Sequence, residues 1–115
     1  MLALAAARLG FDVAILDPEP DAPAARVAAH AIVAAYDDPA GLKALADVSD
    51  VITFEFENVP AAALDRLAEL GAAVAPDARA LGIAQDRLAE KTFLNEAGAP
   101  TVGFAAVDSV ADLRA

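Results

Sequence analysis

The sequence predicts an α/β fold, a parallel sheet with helices on both faces, and three observations predict it. Short apolar runs rich in Val, Ile and Phe alternate with alanine- and leucine-rich stretches at helical spacing. The joints between them are short, as strand-to-helix connections in such folds are. The strand-like runs are apolar throughout instead of at every second residue, the pattern that burial on both faces requires.

The elements follow in order. Leu2, Ala5, Ala6 and Leu9 share one helical face, and Gly10 offers the left-handed turn that ends a helix. Met1 leads straight into helical sequence without a Ser, Thr, Asp or Asn cap, so the start reads as a helix whose beginning is cut away. Phe11 to Leu16 reads as a strand, and the loop after Asp17 carries Pro18, Pro20 and Pro23, which a helix interior does not accept. Ala24 to Ala29 suits a short helix and Ala31 to Ala34 a small strand. Asp38 before Pro39 marks a helix start, with helix to about Val48. Val51 to Phe56 is a third strand. It leads to Pro60 and a helix built on Leu64, Leu67 and Leu70 that closes at Gly71. Ala72 to Ala75 is a further strand, and a longer helix runs from about Ile83 to Ala97 and ends at Gly98. Val102 to Val107 is strand-like, and Ser109 can cap a last helix. A domain boundary falls near Ala75 to Leu81, dividing residues 1–78 from residues 79–115.

Composition narrows the function classes. Apolar residues make up 58% of the 115, but 33 of these are alanines, which bury little area each. No stretch free of Asp, Glu, Lys and Arg approaches the ~20 residues of a membrane-spanning helix, and the opening residues lack the basic start of a signal peptide. Cysteine is absent, so thiolate chemistry and Cys-built metal sites are excluded; a reducing, cytoplasmic setting is compatible with this. The net charge of −10 is spread along the chain without a Lys/Arg cluster, which argues against nucleic acid as a partner. The one histidine, His30, has no Ser, Cys or second His in a motif and reads as structural.

In an open parallel sheet, ligands bind outside the carboxyl ends of the strands. Three places there carry polar groups. Glu55, within Phe54-Glu55-Phe56-Glu57-Asn58, is a carboxylate held at the end of an apolar strand, where it can accept hydrogen bonds from a ligand hydroxyl or amine. Glu57 is better explained by the positive N-terminus of the following helix. Asp17, at the tip of the Phe11–Leu16 strand, stands where dinucleotide folds hold a ribose, although aspartate before proline also starts turns without any ligand. Gln85-Asp86-Arg87 precedes Lys91, one turn beyond Arg87 on the same helix face. An anion between the two cations would offset their repulsion, and solvation assisted by Glu90 is the simpler alternative. Neither a Gly-x-Gly-x-x-Gly nor a Gly-Lys-Ser/Thr phosphate loop is present.

Four stretches, MLALAAARLGFDVAILDPEPDAPAARVA, AAYDD, SDVITFEFENVP and QDRLAEKTFLNEAGAPTV, resemble in this order the carboxyaminoimidazole ribonucleotide synthase family of ATP-grasp enzymes. The resemblance covers essentially the whole chain but only the front of the family's length. It implies a Rossmann-like parallel sheet, the pre-ATP-grasp domain, at residues 1–78, lacking its first strand and glycine-rich loop. Residues 79–115 would then be a linker helix and the start of an ATP-grasp domain. It implies a cytoplasmic enzyme, homodimeric at full length, that uses ATP and Mg2+ to activate bicarbonate and carboxylate aminoimidazole ribonucleotide. Glu55 would bind the ribonucleotide, with Asp17 a second candidate, and Arg87 would contact ATP. No catalytic or metal-binding residue would lie in this stretch, and the chain alone would be inactive and, with a bare sheet edge, poorly stable.

Two enzyme-related rivals and one scaffold share parts of the pattern. A formate-dependent glycinamide ribonucleotide transformylase has similar DAPA and Glu-x-Glu patterning, but EFEN followed by VP favours the carboxylating enzyme. A dinucleotide-binding Rossmann module would use Asp17 for the adenosine ribose. A receiver-like scaffold would need paired acids after a first strand, and Asp37 and Asp38 follow a different strand.

Overall fold

The structure is a computed structural model that describes residues 1–114. The chain runs α1 (Leu2–Arg8), β1 (Ala14–Asp17), a 3-10 turn (Pro23–Arg26), β2 (His30–Val33), α2 (Pro39–Val48), α3 (Ala61–Glu69), α4 (Ala78–Gln85), α5 (Arg87–Glu96) and a second 3-10 turn (Asp112–Arg114). β1 and β2 pair in parallel, with Ala14 opposite His30 and Asp17 opposite Val33. A second parallel contact joins Ile52 to Val74. Both pairs pack against one core, in which Leu42 and Leu45 of α2, Ala63, Leu64 and Leu67 of α3, Leu81 of α4 and Ile52 are buried together.

Local chemistry sets the helix ends. Asp38 and Asp77 begin α2 and α4, accepting from the N–H of Gly41 and of Ala80 at 2.6 and 2.8 Å, so a side chain satisfies a donor the helix leaves free. α3 closes with Gly71 at φ 80°, where the Ala72 and Gly71 N–H groups return to the carbonyls of Leu67 and Ala68, a geometry that β-carbon crowding disfavours for other residues. Gly41 serves another need: a β-carbon there would lie 2.7 Å from the Ala34 Cβ, so glycine lets α2 approach the sheet closely.

The chain leaves much of its apolar surface bare. Its accessible surface is 7971 Å², against roughly 5,900 Å² for a compact protein of this mass. Its radius of gyration is 17.6 Å, against roughly 13 Å for a compact domain of this length. Both ends of the chain are open: among the described residues none after Leu81 is buried, and before Gly41 only Ala3 and Ala22 are.

Several expected elements differ. The first strand is shorter than Phe11–Leu16 and begins at Ala14. The expected helix at Ala24–Ala29 is one 3-10 turn, because Pro23 favours a helical start while nothing beyond Arg26 caps or buries a longer helix. The strands expected at Val51–Phe56 and Ala72–Ala75 reduce to the single Ile52–Val74 bridge: each meets one neighbour on one side, too little ladder to regularise the rest. β2 is largely exposed and β1 half-buried, so two-sided burial is not reached. The long helix at Ile83–Ala97 is two helices broken at Asp86, whose backbone is extended and whose carboxylate accepts from Leu88 and Ala89 N–H at 2.8 and 2.9 Å. That capping competes locally with helix continuation and prevails. Val102–Val107 forms no strand. It passes the end of α5, where Asn95 bonds Thr101 through both its amide groups and the Lys91 ammonium sits 5.4 Å above the Phe104 ring. Ser109 does cap, but only the 3-10 turn, and its hydroxyl, ahead of the Asp108 N–H, holds the Asp112 carboxyl below the usual range.

Candidate functional site

β1 and β2 are parallel, so their carboxyl ends share one edge; the segments leaving it carry polar groups, and the segment after Ile52 is joined to them through Phe56. Asp17 ends β1, Tyr36 follows β2, and Glu55 and Phe56 follow Ile52. The Tyr36 hydroxyl donates to Asp17 Oδ2 at 3.3 Å, while Asp17 Oδ1 accepts from the Glu19 N–H at 2.9 Å. The Tyr36 ring meets the Phe56 ring edge-on, with centroids 5.5 Å apart. One side chain thus links all three segments leaving the edge. Burial, then the Asp17 charge and the hydrogen bond to it, push the Tyr36 phenol above its ordinary pKa, so Tyr36 acts as a neutral donor.

Glu55 lies on the same segment as Phe56. Its Oε1 accepts from the Leu2 N–H and stands 3.5 Å from the Met1 amino nitrogen, so the carboxylate sits at the opening of α1, where the helix dipole favours negative charge. Half of the Glu55 side chain remains exposed to solvent. Glu57 is exposed, and its backbone carbonyl, not its carboxylate, is the group engaged.

Arg87 stands apart from this edge. It opens α5, is 78% exposed and pairs with Glu90 one turn on, the simpler of the two alternatives its spacing allows. The Lys91 ammonium lies over the Phe104 ring. Gln85, from the same motif, reaches back to the edge: its side-chain amide donates to the carbonyls of Glu57 and Val59 at 2.5 and 2.8 Å. His30 is exposed at the start of β2. Among the described residues no three His, Asp or Glu side chains gather as a metal ion would need. The best-formed clefts of the described surface lie elsewhere, one beside Lys43, Asp47, Asp50 and Gly71, the other beside Gly10, Asp12 and Val27. Both are open and lined mainly by small side chains, and neither meets Asp17, Glu55 or Arg87.

Sequence reasoning missed Tyr36 and the reach of Gln85. Tyr36 is the only tyrosine and stands just after a strand, which is a signal of position; its partners, 19 and 20 residues away along the chain in opposite directions, leave no local pattern.

A family model described as "Ribonucleotide synthetase preATP-grasp domain" matches residues 1–85. The N5-carboxyaminoimidazole ribonucleotide synthase of Brucella melitensis is 57% identical over 108 residues, which are 94% of this chain and 30% of that protein. The crystal structure of N5-carboxyaminoimidazole ribonucleotide synthetase from Thermus thermophilus superposes with a TM-score of 0.88 at 44% identity, covering 99% of this chain and 31% of that one. That of N5-carboxyaminoimidazole synthase from Aspergillus clavatus, in complex with ADP and 5-aminoimidazole ribonucleotide, superposes with a TM-score of 0.72 at 28% identity, covering 85% and 26%. The chain spans about a third of the length of these relatives.

Proposed function

The chain belongs to the ribonucleotide synthetase preATP-grasp domain family, and from that premise we propose that it forms the ribonucleotide-binding part of an ATP-dependent ligase that carboxylates 5-aminoimidazole ribonucleotide in purine synthesis. The relatives' names and the ADP and aminoimidazole ribonucleotide in one of their structures support ATP and that ribonucleotide as ligands. In this reaction a bicarbonate oxygen attacks the γ-phosphorus of ATP and expels ADP. The amine of the ribonucleotide then takes the carboxyl group from carboxyphosphate, releasing phosphate. Positioning and charge stabilisation carry such a transfer.

The observation that carries the reading is the placement of Glu55. It is a half-exposed carboxylate at the opening of α1, on the edge that also bears Asp17, Tyr36 and Phe56. In the proposal a further strand and glycine-rich loop precede α1, and backbone N–H groups of that loop hold the ribonucleotide phosphate. Glu55 holds its hydroxyls or amine, with Asp17, held by Tyr36, a second candidate on the same edge. Residues 1–78 form the pre-ATP-grasp domain and residues 79–115 lead into an ATP-grasp domain, with Arg87 exchanging Glu90 for ATP. The bare apolar surface after Leu81 suits a chain continuing into such a domain. Mg2+ is assigned to no residue here: it would neutralise phosphate charge during transfer, and the described residues gather no carboxylate cluster to hold it. A cytoplasmic homodimer completes the proposal.

The test is phosphate release by the complete protein carrying this chain. It should require ATP, bicarbonate and aminoimidazole ribonucleotide together. A requirement for formate and glycinamide ribonucleotide, or tight NAD binding without ATP turnover, would overturn the reading.

A further inference from the structure

Residues 53–59, which carry Glu55, lie outside every helix and strand. Apart from the turn at Glu57–Asn58, none of their backbone groups is hydrogen-bonded to the backbone of another segment among the described residues, and of their side chains Phe54 and Val59 pack against the core. Such a segment is expected to sample several conformations unless side chains fix it. Two hydrogen-bonding anchors reach it. One is the Leu2 N–H on the Glu55 carboxylate, the contact a ligand would compete with. The other is Gln85, whose side-chain amide nitrogen donates to the carbonyls of Glu57 and Val59, 28 and 26 residues earlier in the chain. Gln85 is the last residue of α4, and α4 is held to the core through Leu81, 2% exposed. The two accepting carbonyls bracket Asn58, so the contact spans the chain from two residues beyond Glu55 to just before α3.

From this geometry we infer that Gln85 is a positioning residue: it fixes the 53–59 segment so that Glu55 is preset for the ribonucleotide. The inference rests on the assignment of Glu55 to that ligand. Gln85 touches neither the ribonucleotide nor ATP; it acts by raising the fraction of molecules whose Glu55 loop is competent to bind, and apparent affinity scales with that fraction.

Gln85→Glu tests this with almost no change of shape, since a carboxylate fills the same space but cannot donate to the two carbonyls. Gln85→Ala removes the group altogether. In the complete protein, both variants should raise KM for aminoimidazole ribonucleotide about tenfold, as a drop of the competent fraction to about a tenth would. KM for ATP and kcat should stay within about twofold. Backbone 15N relaxation at residues 55–59 should report greater motion, with the melting temperature nearly unchanged. Unaltered ribonucleotide KM in both variants, or equal rises for both substrates together with a lower melting temperature, would overturn the inference. Should the parent protein show no ribonucleotide-dependent turnover, the functional reading fails on its own; unchanged backbone 15N relaxation at 55–59 in Gln85→Glu would then refute the anchoring separately.

Discussion

Replacing Asp38 by alanine removes the group that begins α2, the helix carrying Leu42 and Leu45 into the core. The carboxylate accepts one bond, 2.6 Å from the Gly41 nitrogen, in a partly buried setting. Loss of a capping side chain costs about 0.5–2 kcal/mol. The upper half applies here, because α2 packs directly on β1 and β2 and cannot fray without disturbing them. The carboxylate's charge at the helix N-terminus accounts for about 0.3–1 kcal/mol of that loss. For a chain of this size a loss of 1–2 kcal/mol lowers the melting temperature by about 4–8 °C. Asn in place of Asp38 keeps an acceptor and loses only the charge, so its drop should be less than half as large. Asp37→Ala is the control: it removes the same charge from an exposed neighbour that is not the cap, and should fall within about 0.5 kcal/mol of the parent. Thermal melts followed by circular dichroism, with urea titrations at fixed slope, give all three values. Equal losses for Asp38→Ala and Asp37→Ala would show that net charge, not capping, governs this helix.

Two further outcomes follow from the core and the edge. Leu64→Ala, at a site 3% exposed, should cost about 2–5 kcal/mol in urea unfolding. Leu70→Ala, at 41% exposed, should cost under about 0.5 kcal/mol, and similar losses at the two would contradict the placement of the core. Tyr36 is the only tyrosine and the chain lacks tryptophan, so its ionisation can be followed alone by ultraviolet absorbance. Its raised pKa means that the folded state favours the neutral phenol. That contribution is complete below the ordinary tyrosine pKa and is lost as pH climbs through the folded value. The midpoint should lie above the ordinary 10.0 and fall in Asp17→Asn; a midpoint at or below 10.0 would refute the Tyr36–Asp17 contact.

What the sequence made legible was what local chemistry decides. Gly10, Gly71 and Gly98 were expected to close helices, and all three take positive φ just after one. Asp38 before Pro39 was expected to open α2 and does. The sheet was harder to read, because strand length depends on neighbours: Val51 to Phe56 has the composition of a strand, yet pairing reaches only Ile52. The break at Asp86 was hidden by an apolar period running through it, since a cap two and three residues ahead outweighs periodicity that buries nothing in α5. Glu55 and Asp17 were singled out by their place at the ends of expected strands. Tyr36 and Gln85, which bind across 19 to 28 residues of chain, were not, because no spacing rule reports such a contact.

The account depends on Glu55 meeting the ribonucleotide, and calorimetric titration of aminoimidazole ribonucleotide into the complete protein and its Glu55→Gln variant tests this most directly. A hydrogen bond to a charged group contributes about 1.5–3 kcal/mol, so the variant should bind at least about tenfold more weakly while its ADP affinity and melting temperature hold. Equal ribonucleotide affinity in the two proteins would contradict the account.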